Sequence, residues 1–226
     1  MGYVRWLGHS AFEVKLDDKL ILIDPWLTNP LSPVKPSDYS GKVDVVLVTH
    51  DHGDHLGEAI EILRENPDAY FVSTYELANY VAGRLGREKG IVGANIGGPV
   101  NIEGLDLEII LTPALHTSSR GAPVGFIVRG KEKSLYHAGD TGLFAELSLL
   151  GELYKPDIAM LPIGSHFTMD VVQAAKAAEL LKPKVVIPMH YNTFPLIRAD
   201  PEKLRELLSG KGIEVVILKP GEKYEF

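Results

Sequence analysis

The apolar segments of this chain end repeatedly in histidine or aspartate. The densest case follows the apolar run Val43 to Val48, where residues 49–55 read Thr-His-Asp-His-Gly-Asp-His. Further apolar runs lead to His116, Asp140, His166 and His190. Because ligands in open α/β sheets bind at the carboxyl ends of strands, this pattern favours a fold that gathers these side chains at one sheet edge.

The residue types at these strand ends indicate a metal centre, because imidazole nitrogen and carboxylate oxygen bind zinc, iron, manganese and nickel. His50 and His52 flank a single residue in an extended segment, so both side chains can point the same way. Asp54 and His55 follow where the chain turns towards a helix. One cation cannot comfortably take all four groups, so we predict two divalent ions, each bound by one pair.

Each ion then needs ligands from elsewhere in the chain. His116 could complete the first site, His190 could complete the second, and Asp140 could bridge both ions through its two oxygens. This arrangement leaves room for a bridging hydroxide as the nucleophile. Zinc is the first choice of metal, with manganese, iron or nickel as alternatives.

Composition limits the class of protein. Hydrophobic residues make up 45% and charged residues 23% of the chain, as in an ordinary globular protein. No apolar stretch approaches the roughly 18 residues of a membrane span, and we expect no signal peptide. The absence of cysteine excludes disulfides and thiolate ligands and fits a cytoplasmic protein. The net charge of −7 argues against nucleic-acid binding, so we expect a small-molecule substrate and leave a homo-oligomer open.

The hydrophobic pattern predicts short strands in both halves of the chain. They are Tyr3–Leu7, Ala11–Leu16, Leu20–Ile23, Val43–Val48, Ala69–Ser73, Leu105–Leu111, Gly125–Arg129, Ser134–His137, Asp157–Leu161, Lys184–Pro188 and Glu214–Leu218. The predicted helices are Gly57–Arg64, Tyr75–Leu85, Leu143–Leu150, Asp170–Leu181 and Pro201–Ser209. In each half, strands meander first and then alternate with helices. This order predicts one α/β domain over residues 1–226, a four-layer αββα sandwich of two mixed β-sheets with helices outside.

The motif His-x-His-x-Asp-His after a strand resembles the signature of the metallo-β-lactamase superfamily. His116, Asp140 and His190 then follow in the order of that family's ligands. Shorter motifs resemble a branch of small, stand-alone metal-dependent hydrolases that includes the ascorbate-6-phosphate lactonases. These motifs are Gly8-His9-Ser10-Ala11-Phe12, Ile23-Asp24-Pro25-Trp26, Ala138-Gly139-Asp140-Thr141, Pro162-Ile163-Gly164, Phe167-Thr168-Met169 and His190-Tyr191-Asn192-Thr193-Phe194-Pro195. The resemblance covers nearly the whole chain and implies the metallo-β-lactamase fold.

The resemblance also implies roles beyond the ligands. Asp24 is similar to the family residue that orients a ligand histidine through its other ring nitrogen, although it could simply form the turn into Pro25. The segment around His9 lines the site in relatives, so we favour a substrate-facing, catalytic role for His9, together with Asp54, over the alternative of a structural role.

Three more residues are candidates for substrate contact. His166 could contact substrate or lie at the rim. Tyr191 and Asn192 could polarise a substrate oxygen or fix the loop after His190.

The predicted function is that of a metal-dependent hydrolase whose dinuclear centre activates a bridging hydroxide, acting on a lactone or other ester. One alternative is a phosphodiesterase for a small phosphodiester or nucleotide. A second alternative is a non-catalytic metal-binding or sensor protein. The predicted ligand set argues against the second alternative, because structural zinc sites are closed and usually rich in thiolates.

Overall fold

A computed structural model describes residues 2–226, which form two seven-stranded mixed sheets with helices. The strands are β1 (Tyr3–Trp6), β2 (Phe12–Leu16), β3 (Lys19–Ile23), β4 (Val45–Leu47), β5 (Tyr70–Thr74), β6 (Ile91–Ala94), β7 (Val100–Asn101), β8 (Glu108–Pro113), β9 (Val124–Arg129), β10 (Ser134–His137), β11 (Ile158–Pro162), β12 (Val185–Met189), β13 (Glu214–Val215) and β14 (Lys223–Glu225). The helices are α1 (Gly53–Leu56), α2 (Ala59–Glu65), α3 (Tyr75–Leu85), α4 (Leu147–Tyr154), α5 (Val171–Leu181) and α6 (Pro201–Leu208). Short 3-10 helices span Pro36–Tyr39 and Pro195–Ile197.

The two sheets are built alike. The first has the order β14-β1-β2-β3-β4-β5-β6, and the second has the order β13-β12-β11-β10-β9-β8-β7. In each sheet an antiparallel portion continues into a parallel one, through β3-β4-β5-β6 in the first and β10-β11-β12-β13 in the second. The predicted fold class is therefore confirmed.

Strand alternation explains the layers. In β4, Val45 and Leu47 belong to the large core that joins the two sheets, whereas Val46, and Val48 directly after the strand, belong to the core formed with α2 and α3. Successive side chains of a strand point to opposite faces, so a strand buried on both faces is continuously apolar. This is why the run before His50 contains no polar residue between Val45 and Val48.

Several predicted boundaries differ from the structure. Strands β6, β7 and β14 were not predicted; they are short edge strands with weak apolar patterns. The predicted helix Gly57–Arg64 corresponds to α2, Ala59–Glu65, whereas the short helix α1 before it was not predicted; Gly57, with a positive φ of 41°, ends α1 and separates the two. Helix α4 begins four residues later than predicted, at Leu147 instead of Leu143, and β13 ends at Val215 instead of Leu218.

No helix within residues 2–226 combines the length and the apolar character that crossing a membrane requires.

Candidate metal centre

The predicted ligands lie at the ends of four strands. His50 and His52 follow β4, and α1 then carries Asp54 and His55. His116 follows β8, Asp140 follows β10 and His190 follows β12. Strands β8 and β10 both run antiparallel to β9, and β10 is parallel to β11 and, through it, to β12. The carboxyl ends of β8, β10 and β12 therefore share one edge of the second sheet. The structure therefore brings together all seven residues that were predicted as ligands.

The first donor group consists of His50, His52 and His116, whose ligand atoms all lie within 4.8 Å of one another. The Nε2 atom of His50 is 3.0 Å from the Nδ1 atom of His52. The His116 ring centroid lies 5.0 Å from that of His50 and 5.2 Å from that of His52. Three imidazoles thus converge on one point, as predicted for the first ion.

The second donor group contains Asp54, His55 and His190, again within 4.8 Å of one another. The Oδ2 atom of Asp54 is 3.8 Å from the Nε2 atoms of both histidines. His9 joins this group, because its Nε2 atom is 2.9 Å from the same Asp54 oxygen. The sequence did not predict a place for His9 among the donors.

Asp140 lies between the two groups. Its Oδ1 atom is 3.3 Å from Nε2 of His55, and its Oδ2 atom is 3.0 Å from Nε2 of His190. The same Oδ2 atom is 3.6 Å from Nε2 of His116, which belongs to the first group. Asp140 also forms a donor cluster with His50 and His55. Asp140 thus contacts histidines of both groups, and its bridging role stays a prediction.

Burial and neighbouring charges set the protonation of these donors. Burial and the nearby charge of His55 lower the pKa of His50 to about 3, which keeps its imidazole neutral with a lone pair free. Burial alone raises the pKa of Asp140, but His55 and His190 lower it well below its usual range. Burial alone lowers the pKa of His55, but Asp140 and Asp24 raise it well above its usual range.

The donor set fits divalent cations. The Nε2 atom of His55 and the Oδ1 atom of Asp140 are buried, and neither has a hydrogen-bond partner among residues 2–226. Unpaired buried polar atoms are costly, and a cation between these two atoms would satisfy both. Imidazole and carboxylate donors without any thiolate suit zinc, manganese and iron. The group can therefore bind metal ions.

Asp24 supports both donor groups from behind. Its buried carboxylate accepts hydrogen bonds from the Thr49 backbone (2.8 Å), the Thr49 hydroxyl (2.7 Å) and Nδ1 of His55 (2.7 Å). The Thr49 hydroxyl also lies 3.0 Å from Nδ1 of His50. Asp24 therefore contacts His55 directly and His50 through Thr49, and its role in orienting these histidines stays a prediction. Thr49 was missed, although it directly precedes the histidine motif.

His9 does not face an open cleft. Its side chain is fully buried, and its Nδ1 atom lies 2.9 Å from the Thr193 hydroxyl. Its backbone oxygen accepts hydrogen bonds from the His190 backbone and the Trp6 indole, both at 2.9 Å. The predicted substrate contact of His9 disagrees with this placement, since both ring nitrogens contact protein groups. The pairing of His9 with Asp54 and Thr193 carries no signal in the sequence.

The other candidates for substrate contact differ in placement. His166 is exposed at a loop tip beside Phe167, with a positive φ of 59°. Tyr191 is buried and stacks on Trp6 at 5.3 Å between ring centroids, so it packs in the interior rather than facing the metal donors. Asn192 is exposed and accepts a hydrogen bond from the Ala199 backbone (3.0 Å), which fixes the loop after His190.

Comparison with known proteins identifies the family. The family profile described as "Beta-lactamase superfamily domain" matches residues 19–191. A protein of Hyperthermus butylicus named UPF0173 metal-dependent hydrolase is 63% identical over 229 residues, with full coverage of both chains. A protein of Thermofilum pendens with the same name is 56% identical over 235 residues, also with full coverage of both.

A solved structure gives the same result in three dimensions. Igni18, described as a novel metallo hydrolase from Ignicoccus hospitalis, is 46% identical and superposes with a TM-score of 0.92, covering 100% of this chain and 99% of that chain. With its two mixed sheets and its histidine and aspartate cluster at their edge, the chain belongs to the metallo-β-lactamase superfamily and, within it, to the UPF0173 metal-dependent hydrolases. It is a metal-dependent hydrolase.

Proposed function

We propose that this hydrolase holds two divalent ions, zinc by first choice, and hydrolyses a lactone or another ester of a small molecule. The observation that carries the proposal is the pair of donor groups that share Asp140. His50, His52 and His116 would hold one ion, and Asp54, His55 and His190 would hold the other. When bound, such a pair of ions supplies a hydroxide nucleophile and polarises the substrate oxygen on which negative charge develops.

The residues of the chain prepare this chemistry by fixing the donors. Asp24 accepts a hydrogen bond from Nδ1–H of His55, and this tautomer leaves Nε2 free to bind metal. The contact of His9 with Asp54 holds the pKa of that carboxyl below its usual range, against the opposing effect of burial. His9 is thus assigned to holding Asp54 in place rather than to contacting substrate.

Differences in exposure indicate where substrate would approach. The side chains of Asp54 and His116 are 29% and 12% exposed, whereas His55, His190 and Asp140 are buried. An approach over Asp54 and His116 would reach both donor groups. This partial opening also favours a catalytic centre over a structural or sensor site, since structural zinc sites are closed.

The surroundings of the centre favour an ester over a phosphodiester. Trp26 and Phe194 lie next to His9, with ring centroids 5.1 Å and 5.5 Å from its own. Exposed apolar side chains, Leu115, Phe167 and Leu196, stand on the loops that carry His116, His166 and His190. These groups suit the apolar part of a neutral substrate, because burying apolar surface of a ligand is favourable.

The experiment is a substrate panel with metal-reconstituted protein. Neutral lactones and p-nitrophenyl esters should be hydrolysed faster than bis-p-nitrophenyl phosphate, and metal analysis should give two ions per chain. Asp54→Ala should abolish turnover with an unchanged far-ultraviolet spectrum, whereas the control Asp44→Ala, at the opposite end of β4, should retain turnover. Faster phosphodiester hydrolysis would reverse the substrate assignment, and a single bound ion would refute the dinuclear centre.

A further inference from the structure

Asp51 lies between two ligand histidines, and its carboxylate is fully engaged by another loop. Its Oδ1 atom accepts hydrogen bonds from the Ser118 hydroxyl (2.9 Å) and the Ser119 backbone (2.8 Å). Its Oδ2 atom accepts one from Nη1 of Arg120 (2.7 Å). The Asp51 side chain is only 1% exposed. The Asp51 side chain thus faces this loop, whereas the ring nitrogens of His50 and His52 converge with that of His116.

The engaged loop carries His116 and leads from β8 to β9 in the second sheet, whereas Asp51 follows β4 in the first. The loop is also held against α3 of the first half. The guanidinium of Arg120 lies over the Tyr80 ring, 4.0 Å from its centroid, a cation–π contact. Gly121 has a φ of 71°, and a Cβ atom there would stand 2.5 Å from the Thr74 hydroxyl. Four consecutive residues, 118–121, thus join the two halves of the protein beside the first donor group.

His116 depends on such an anchor, because no hydrogen bond within residues 2–226 orients its ring. The rings of His50, His55 and His9 contact Thr49, Asp24 and Thr193, whereas no hydrogen bond holds the His116 ring within residues 2–226. Its orientation therefore depends on the backbone that carries it. A mobile ligand loses conformational freedom when it binds an ion, and this loss weakens the affinity.

We propose that Asp51 is a positioning residue, which holds the loop of His116 against the His50–His52 segment so that three imidazoles converge on the first ion. The proposal rests on the dinuclear centre proposed above. Arg120 contributes by joining the buried Asp51 carboxylate to Tyr80. The carboxylate is fixed by one ionic and two neutral donors, so it differs from an exposed surface ion pair, which contributes little.

The test measures binding of each ion, independently of turnover. Zinc affinities of the metal-free protein are determined by competition with a chromogenic chelator, and cobalt absorption reports the coordination of each site. Asp51→Ala removes all three contacts. Arg120→Ala removes only the ionic contact and the Tyr80 stacking, and Arg120→Lys retains a charge as the conservative replacement. A graded series guards against the case in which Asp51→Ala fails to fold.

Asp157 offers a matched control. Its carboxylate is 16% exposed and accepts hydrogen bonds from a backbone amide, that of Ser134 (3.0 Å), and from the ammonium of Lys184 (2.8 Å). It directly precedes β11, at the end of that strand remote from the metal donors. Asp157→Ala should lower the melting temperature as Asp51→Ala does, yet leave the affinity for both ions unchanged.

We expect Asp51→Ala to weaken the affinity for the first ion by about 10–100-fold, the range for residues that orient ligands, and to leave the affinity for the second ion unchanged. Arg120→Ala should have a smaller effect, and Arg120→Lys should restore part of it. Unchanged affinity for both ions in Asp51→Ala and Arg120→Ala, whatever their melting temperatures, overturns the positioning role alone. A wild-type chain that binds fewer than two ions overturns the dinuclear centre and, with it, this role.

Discussion

Replacing Asp24 by asparagine should weaken the binding of both ions, because Asp24 sets the tautomer of one histidine in each donor group. An ionised carboxylate only accepts hydrogen bonds, so the Thr49 hydroxyl must donate to it and can then accept the Nδ1 proton of His50. His55 donates its Nδ1 proton to the same carboxylate oxygen. Both histidines are thereby left with Nε2 free to bind metal.

An asparagine amide facing Thr49 and His55 would reverse this order. The amide donates to the Thr49 hydroxyl, the hydroxyl then donates to Nδ1 of His50, and the proton of that ring moves to Nε2, where it blocks metal binding. The amide would also present a donor to Nδ1 of His55, which favours moving the proton of that ring to Nε2 as well. Each lost charge-assisted hydrogen bond costs about 1.5–3 kcal/mol. That cost agrees with a loss of about 10–100-fold in affinity for each ion, or about 1.4–2.7 kcal/mol.

The assay is a zinc competition titration of metal-free Asp24→Asn, with Asp44→Asn as the control. Asp44 accepts a hydrogen bond from the Leu20 backbone (2.7 Å) between the same two strands, at the end remote from the metal donors. The control should lower stability without changing either affinity. Wild-type affinity for both ions in Asp24→Asn would refute the tautomer argument, and loss of one ion alone would show that the path through Thr49 to His50 does not operate.

Three further predictions concern the metal, His9 and pH. Chelation should abolish turnover and lower the melting temperature while the far-ultraviolet spectrum persists, since the core forms without the ions. At a free metal concentration about 100 times the dissociation constant, binding should stabilise the fold by about 2.7 kcal/mol. Outright unfolding on chelation would contradict a core that forms without the ions. His9→Ala should selectively weaken the affinity for the second ion, because Asp54 loses its hydrogen-bond partner. Retention of both ions with a raised substrate KM would instead favour a direct contact between His9 and substrate. Burial alone raises the pKa of Glu13, but hydrogen bonds from Tyr3 and Tyr39 lower it below its ordinary value. The ionised form therefore stabilises the fold above the unfolded pKa of about 4.3, and this contribution disappears as pH falls through the lowered pKa. The stability gap between metal-free wild type and Glu13→Gln should shrink in acid, and a gap independent of pH would contradict the assignment.

Much of the candidate centre could be predicted because its ligands obey local rules. His50 and His52 follow a buried strand with one residue between them, and this spacing marks both as candidate ligands, although the chain bends at Asp51 and His52 instead of staying extended. His116, Asp140 and His190 also end apolar runs, and the order of such runs indicates the architecture. The edge strands β6, β7 and β14 were missed because they bury few side chains and leave little periodic signal.

What the sequence determined by itself is therefore the fold class and seven of the residues that gather in the candidate metal centre, since both depend on apolar runs and on the residue that ends each run. What only the tertiary structure decided is how those donors are held. The contact between His9 and Asp54 joins residues 45 positions apart, and the contact between His9 and Thr193 joins residues 184 apart. The engagement of Asp51 by Arg120 spans 69 positions. No local pattern encodes these pairs, because each forms only when packing of the two sheets brings their loops to a common edge.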